Sequence, residues 1–278
     1  SSSRRRADTI QRLLAMGFGP VLDGGEVLVP SGVDVVSDLE PMSVITSGDL
    51  VFEGLSRSDE PPFDLGVRCF VFGNGADDEQ YVRECGKVYA PVEEADFLLA
   101  RGLFTTLGGG PDYLRNPYTA YSDEYADEVL SRALARRPGG LPLLVANPDT
   151  VRPDGDDSPM PGQLAARYAA MGAADIRLVG KPHPLIYEAS RRVLAEANLG
   201  GPGARVAAVG DSLHHDVLGA SRHGFDSIFI AGGVHYRELG VPQGGGVAPD
   251  GERLEALLAG FADEYGARPT YTLAGFVL

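Results

Sequence analysis

Two aspartates at the end of an apolar run are the first sign of chemistry in this 278-residue sequence. In VAAVGDSLHHDVLGA a segment of strand length delivers Gly210 and Asp211, and Asp216 follows five residues later in the first turn of an expected helix. Two carboxylates there, with a glycine allowing close approach, suit a hard, oxygen-seeking cation such as Mg2+. A plainer reading has Ser212 or Asp211 capping the helix and Asp216 favouring its positive end. In IRLVGKPHPLIYEA, Lys181 falls between a strand and a helix begun by Pro184. An ammonium at that place can neutralise a phosphorylated intermediate and fix a nucleophilic carboxylate. The other reading is a surface lysine, but only Lys87 and Lys181 are lysines among 24 basic residues, which weakens it. A third strand end, LPLLVANPDT, projects Asn147 and Asp149, although Asn-Pro-Asp is also good turn chemistry.

These residues need elements to hold them. Residues 4–17 read as an amphipathic helix with Ile10, Leu13 and Leu14 on one face. A Gly/Pro-rich excursion fills 19–41, a short strand is expected at 43–46, and a helix opens at Ser47-Gly48. The paired prolines of RSDEPPFD mark the best linker. VRCFVFGN then reads as a strand, ADDEQYVREC as a helix, ADFLLARGLF as a strand and 107–121 as an irregular loop. A helix capped by Ser122 covers 122–137, and a strand at 141–146 follows. From there helices (161–172, 184–198, 211–223, 251–265) alternate with strands (174–180, 204–210, 226–233, 270–278). Short apolar strands alternating with helices predict an α/β fold, a doubly wound and mostly parallel sheet covered on both faces. In such sheets the active site lies at the carboxyl ends of the strands.

Composition narrows the function further. The net charge of −15 repels phosphate backbones, and without a local basic patch it argues against nucleic-acid binding. No stretch approaches 18 uncharged apolar residues, so no membrane partner is expected. The basic start SSSRRRADTIQRLL lacks the apolar core of a secretory signal. Cys69 and Cys85 match no metal-ligand spacing and form no disulfide framework, which fits a reducing, cytoplasmic setting. VFGNGADDE echoes a dinucleotide-binding turn but lacks the third glycine and opens its helix with acids. No serine, histidine and aspartate fall into a hydrolase triad around a nucleophile elbow. His183 reads as either a substrate contact or a turn histidine, His235 as a substrate contact near the same rim, and Arg4–Arg6 as a phosphate contact or a solvated helix face.

Taken in order, VANPDT, GKPHPLIYEASRRVL and VAAVGDSLHHDVLGASRHGFDSIFIAGGVH resemble the haloacid-dehalogenase-like hydrolases, specifically their class IIA, phosphatase-like branch. The start SSSRRRADTIQRLLAMGF and the stretches ITSGDL and EEADFLLARGL extend the likeness over most of the chain. The resemblance implies a Mg2+-dependent phosphohydrolase acting on a small phosphorylated substrate through an aspartyl-phosphate. Lys181 would be the motif-three lysine, and Asp211 and Asp216 the metal-holding acids of motif four. It further implies a core from 1–60 and 147–278, an inserted α/β cap over 61–146, and Asn147 and Asp149 at the hinge on the substrate side. Caps of this branch often take part in dimers, so a homodimer is expected.

The chain also departs from the family pattern. The nucleophile normally lies in an Asp-x-Asp-Gly sequence on the central strand, and none occurs here. Val21-Leu22-Asp23-Gly24 comes nearest but has valine at the nucleophile position, and reads as a turn in an insertion. Counting back from Gly17-Phe18 sets the motif-two hydroxyl about two positions before Ser1, leaving Ser1 and Ser2 at neighbouring phosphate-side positions. The nucleophile is therefore expected upstream of residue 1. Beside the strand ending at Asp211, either a gap or a substitute strand from 19–41 is expected. A non-catalytic relative that binds a phosphorylated ligand or a protein is the alternative.

Overall fold

The computed structural model describes residues 6–16, 18–23, 26–31, 42–57, 60–75, 77–112, 115–150, 160–199, 201, 203–244 and 246–275. Ser1 and Ser2 lie outside them. Contacts divide the described chain into two compact units, one ending at Gly180 and the other starting at Lys181. None of the described helices is long and apolar enough to cross a membrane.

The first unit opens with helix α1 (Arg6–Ala15), whose buried Ile10 packs with Val21 and Val44. Strands β1 (Val21–Asp23), β2 (Glu26–Leu28) and β3 (Met42–Ser43) form a small sheet in the order β2-β1-β3. The Val21-Leu22-Asp23 part of the insertion is thus strand, paired antiparallel to β2 and parallel to β3. Helix α2 (Ser47–Arg57) begins at the expected serine.

The larger sheet carries the unit. Its strands are β4 (Arg68–Gly73), β5 (Val88–Tyr89), β6 (Phe97–Ala100), β7 (Thr105–Asp112), β8 (Asn116–Ala120), β9 (Leu143–Val145) and β10 (Ile176–Leu178). They run in the order β10-β9-β6-β4-β7-β8, with β5 beside β4; the pairs from β10 to β4 are parallel, and β7 and β8 are antiparallel. The helices between them are α3 (Asp78–Glu84), α4 (Asp123–Ala135) and α5 (Pro161–Ala170). Phe70, Leu98 and Leu143 share one register row and pack against Val129 and Leu130 of α4 and Tyr168 of α5. As sequence periodicity predicts, Ser122 caps α4, its Oγ accepting the Tyr125 N–H at 3.2 Å. Because β10 lies beside β9, the compact unit extends to Gly180.

Within 107–121, where an irregular loop is expected, the described residues instead form the antiparallel strands β7 and β8. The glycines of this stretch read as breakers, whereas here they are sites of close approach. A Cβ on Gly109 would lie 2.3 Å from the Tyr125 hydroxyl, and one on Gly110 1.9 Å from the Asn116 carbonyl oxygen. The register shifts between Leu107 and Asp112, as a bulge requires.

At the carboxyl ends of β4 and β6 sits a buried ion pair. Arg101, 2% exposed, donates to Asp78, 0% exposed, at 2.5 Å and to Asp77 at 3.1 Å. Its guanidinium also stacks 3.7 Å from the Tyr81 ring centre. Asp78 accepts the Gly75 N–H at 2.8 Å, and Gly73 leaves room for it, since a Cβ there would fall 1.9 Å from Asp78 Oδ2.

The second unit contains α6 (Pro184–Glu196), β11 (Ala207–Gly210), a π-turn (Leu213–Val217), α7 (Leu218–Arg222), β12 (Asp226–Ile230), α8 (Tyr236–Leu239), α9 (Gly251–Tyr265) and β13 (Tyr271–Leu273). The strands form a parallel sheet, β11-β12-β13, and one face buries Phe229 against Leu213, Val217, Leu258 and Phe261. The helix expected after Asp211 thus begins as a π-turn. β11 is an end strand: among the described residues nothing pairs its outer edge, and Val209 is 48% exposed. β1 and β2 pair within the first unit and do not supply that neighbour.

Breaking the buried pair strands a charge in the core. Arg101→Leu is expected to lower the unfolding free energy by about 3–5 kcal/mol in urea melts. Arg132→Ala, which removes exposed pairs to Glu93 and Glu128, should lower it by about 1 kcal/mol or less. Equal effects would refute this account of the sheet end.

Candidate functional site

The polar residues of the second unit gather where β11 and β12 end. β11 is apolar until Gly210, where the chain turns sharply and Asp211 and Ser212 follow. Ser212 caps the π-turn, its Oγ accepting the His215 N–H at 3.2 Å and lying 3.1 Å from His215 Nδ1. The turn swings Asp216 back beneath the strand end. Asp216 is 6% exposed; its Oδ2 accepts the Ser212 N–H at 3.0 Å and its Oδ1 accepts the Lys181 ammonium at 2.5 Å. A buried carboxylate is tolerated when its charge is matched and its oxygens are bonded, and both conditions are met. Gly210 makes the fold-back possible, because a Cβ there would lie 2.1 Å from Asp216 Cγ.

Asp211 is held from the neighbouring strand. Its Oδ2 accepts the Val234 N–H at 3.0 Å, and a Cβ on Gly233 would come within 2.0 Å of its own Cβ. The Gly232-Gly233-Val234 loop after β12 is therefore a positioning element that sequence reading missed, although the glycine pair at a strand end was a usable signal. Lys181, half exposed, brings its ammonium from the start of the α6 segment. Lys181 thus pairs with Asp216, and Asp211 follows the same strand end of one parallel sheet.

The surrounding histidines have local roles. His235 Nε2 accepts the Leu213 N–H at 3.4 Å, while its Nδ1 lies 2.5 Å from Glu238 Oε2. That pairing fixes the tautomer with the proton on Nδ1, so His235 supports the π-turn rather than standing free at a rim. Tyr187 of α6 donates to the His215 carbonyl at 3.1 Å and stacks on His223, its ring centre 4.5 Å away. Gly219 admits that hydroxyl, since a Cβ there would lie 1.9 Å from it; this contact also went unread in the sequence. Burial, then the electrostatic influence of Arg222 and His215, pushes the His183 pKa below its ordinary value.

Asn147 and Asp149 lie in the first unit, at the carboxyl end of β9. Asn147 is 3% exposed and its Oδ1 accepts the Asp149 N–H at 3.1 Å, while the Asp149 carbonyl accepts the Gly162 N–H at 3.0 Å. The hydrogen bonds they display are those of a turn. Arg6 donates to the Leu22 carbonyl and lies 3.5 Å from Asp23, and Arg4 and Arg5, like Ser1 and Ser2, fall outside the described residues.

Could these residues hold a cation? Among the described residues no group of three or more His, Cys, Asp or Glu is arranged for one. Two carboxylates do suit Mg2+, which keeps several waters and takes further oxygens from a phosphate. Asp211 Oδ1 accepts no hydrogen bond among the described residues, whereas Asp216 is engaged on both oxygens. The donor chemistry therefore fits such an ion, in competition with the Lys181 ammonium for Asp216.

Residues 178–250 match the family model described as HAD-hydrolase-like, a stretch that contains Lys181, Asp211 and Asp216. No curated protein matches the chain. A haloacid dehalogenase-like hydrolase from Brucella suis is 24% identical with a TM-score of 0.62, over 99% of this chain and 81% of that one. A possible sugar phosphatase from Cytophaga hutchinsonii is 18% identical with a TM-score of 0.57, over 100% and 81%. The p-nitrophenyl phosphatase of Archaeoglobus fulgidus is 18% identical with a TM-score of 0.55, over 99% and 80%. At these identities the likeness is one of fold.

Two expectations follow. Gly210→Ala should displace Asp216 and cost about 1–3 kcal/mol, read by chemical denaturation; an unchanged midpoint would refute the close-approach argument. Because the folded His183 pKa is depressed, its contribution is full above the ordinary value of 6.5 and fades as pH falls, the unfolded chain binding the proton first. His183→Asn should therefore lose less stability than the parent chain between about pH 7 and pH 5.

Proposed function

Because this chain has the fold of the haloacid-dehalogenase-like hydrolases, we propose that it is a class IIA-type phosphohydrolase acting on a small phosphorylated metabolite. The observation that carries this reading is the Lys181 ammonium on Asp216, with Asp211 directly after β11 at the same carboxyl end of a parallel sheet. The phosphatase names of structural neighbours support a phosphate monoester as substrate class.

In this reading an aspartate attacks phosphorus, the bond to the leaving alcohol breaks, and water then hydrolyses the aspartyl-phosphate. The 278 residues contain no Asp-x-Asp-Gly, so the nucleophile and its acid/base partner are assigned to a strand outside them. Among the described residues the outer edge of β11, beside Asp211, is unpaired, which supports that assignment. Lys181 holds the nucleophilic carboxylate and screens the charge on the phosphoryl group. Asp211 and Asp216 would hold Mg2+, which when bound offsets phosphate charge as a Lewis acid. Residues 61–146 act as the cap that selects substrate, Asn147 and Asp149 mark its hinge on the substrate side, and Ser1 and Ser2 line the phosphate. A homodimer and a cytoplasmic setting belong to the same reading.

The test compares the 278-residue chain with one preceded by a strand carrying Asp-x-Asp-Gly. The first should hydrolyse p-nitrophenyl phosphate no faster than its Lys181→Ala variant. The second should turn over with Mg2+ and lose at least about a hundredfold in kcat on Lys181→Ala or Asp211→Asn, on the scale of losing one electrostatic stabiliser. Robust hydrolysis by the 278 residues alone, abolished by Lys181→Ala, would overturn the upstream nucleophile. Inactivity of the extended chain would favour a phospho-ligand or protein-binding module.

A further inference from the structure

A cavity of about 510 Å³ opens in the first unit at the amino-terminal ends of the parallel strands, the end opposite Asn147. Its lining includes Asp64, Asp96, Arg136, Arg137, Leu141 and Arg177. The two acids are already matched. Asp64 pairs with Arg177, which also takes Asp175. Asp96 accepts the N–H groups of Val67 and Arg68 and the Arg68 guanidinium, and these bonds hold its pKa below the ordinary carboxylate value despite partial burial.

The two remaining arginines are matched only at longer range, Arg136 acting electrostatically on Glu93 and Arg137 on Asp175. Arg136 donates one terminal N–H to the Val92 carbonyl at 3.0 Å, and Arg137 donates its Nε–H to the Gly140 carbonyl at 3.0 Å. Among the described residues no carboxylate lies within ion-pair distance of either. Each guanidinium is thus tethered to one neutral carbonyl, while its other N–H groups donate to no partner among the described residues. Such a fork matches a carboxylate or phosphate. Two exposed arginines without a close ion pair, both lining one cavity, stand out in a chain whose net charge is −15. Leu65 and Leu141, both buried, supply an apolar floor beneath them.

We propose that this cavity binds a small oxyanion, a carboxylate or phosphate carried on a compact body, gripped by Arg136 and Arg137. Arg136 and Arg137 fall within the 61–146 segment read above as a cap, but the proposal does not depend on the phosphohydrolase chemistry, whose Lys181, Asp211 and Asp216 lie in the second unit.

The test uses the folded 278-residue chain at low ionic strength, titrated with inorganic phosphate and with citrate, because surface charge is screened by salt. Calorimetry should show saturable binding of at least one probe, with amide shifts at Gly66 and Asp96. The Arg136→Gln/Arg137→Gln variant should weaken it about tenfold or more, the scale of losing a charge-assisted bond. Lys181→Ala should leave it unchanged, with circular dichroism confirming that both variants fold. No saturable binding, equal binding by the double variant, or binding lost in Lys181→Ala would each overturn the proposal.

Discussion

A carboxylate pressed under the end of a strand must have its charge answered, and the pairing of Asp216 with Lys181 answers it. Much of the local geometry of the second unit follows from that requirement. Gly210 gives the carboxylate room, the Ser212 N–H takes its second oxygen, and the π-turn sets how far the chain swings before Asp216 is delivered. The neighbouring turn holds Asp211 by a backbone N–H, so both acids stand where rigid backbone places them.

The first unit contains a close counterpart. β4 ends in Gly73, Asp78 folds back under the strand end, a nearby N–H takes one oxygen, and Arg101 from the next parallel strand supplies the cation. The difference is access. Arg101 is sealed away and stacked on Tyr81, whereas the Lys181 ammonium is half exposed. One arrangement is thus suited to holding a loop in place, and the other leaves its cation reachable. The same glycine-and-acid device serves two ends, and burial decides between them.

Residue pattern carried much of this far. Strand-length apolar runs ending in Gly210-Asp211 and Gly180-Lys181, and the proline opening α6, were enough to bring ammonium and acids to one sheet end. Helix α9 matches its expected span, and Ser122 its expected cap. What stayed hidden has a common cause: contacts between positions far apart in sequence. Gly108–Gly110 read as loop because a breaker inside a strand and a glycine admitting a tyrosine look alike on paper. The roles of Val234, Tyr187 and His235 rest on partners 22 to 28 residues away. The π-turn differs from an ordinary helix start by a single hydrogen-bond step, which residue type does not encode.

The scarcity of lysine has a practical side. Arginine does nearly all of the cationic work in this chain, and Lys87 is bonded to the Gly66 carbonyl at 2.8 Å. Side-chain amines are therefore confined to two places, one of them the half-exposed crevice of Asp216. Acylating reagents, or enzymes that acetylate proteins, meet a nearly blank surface, and a single added acyl group at Lys181 would remove the positive charge that its buried neighbour relies on.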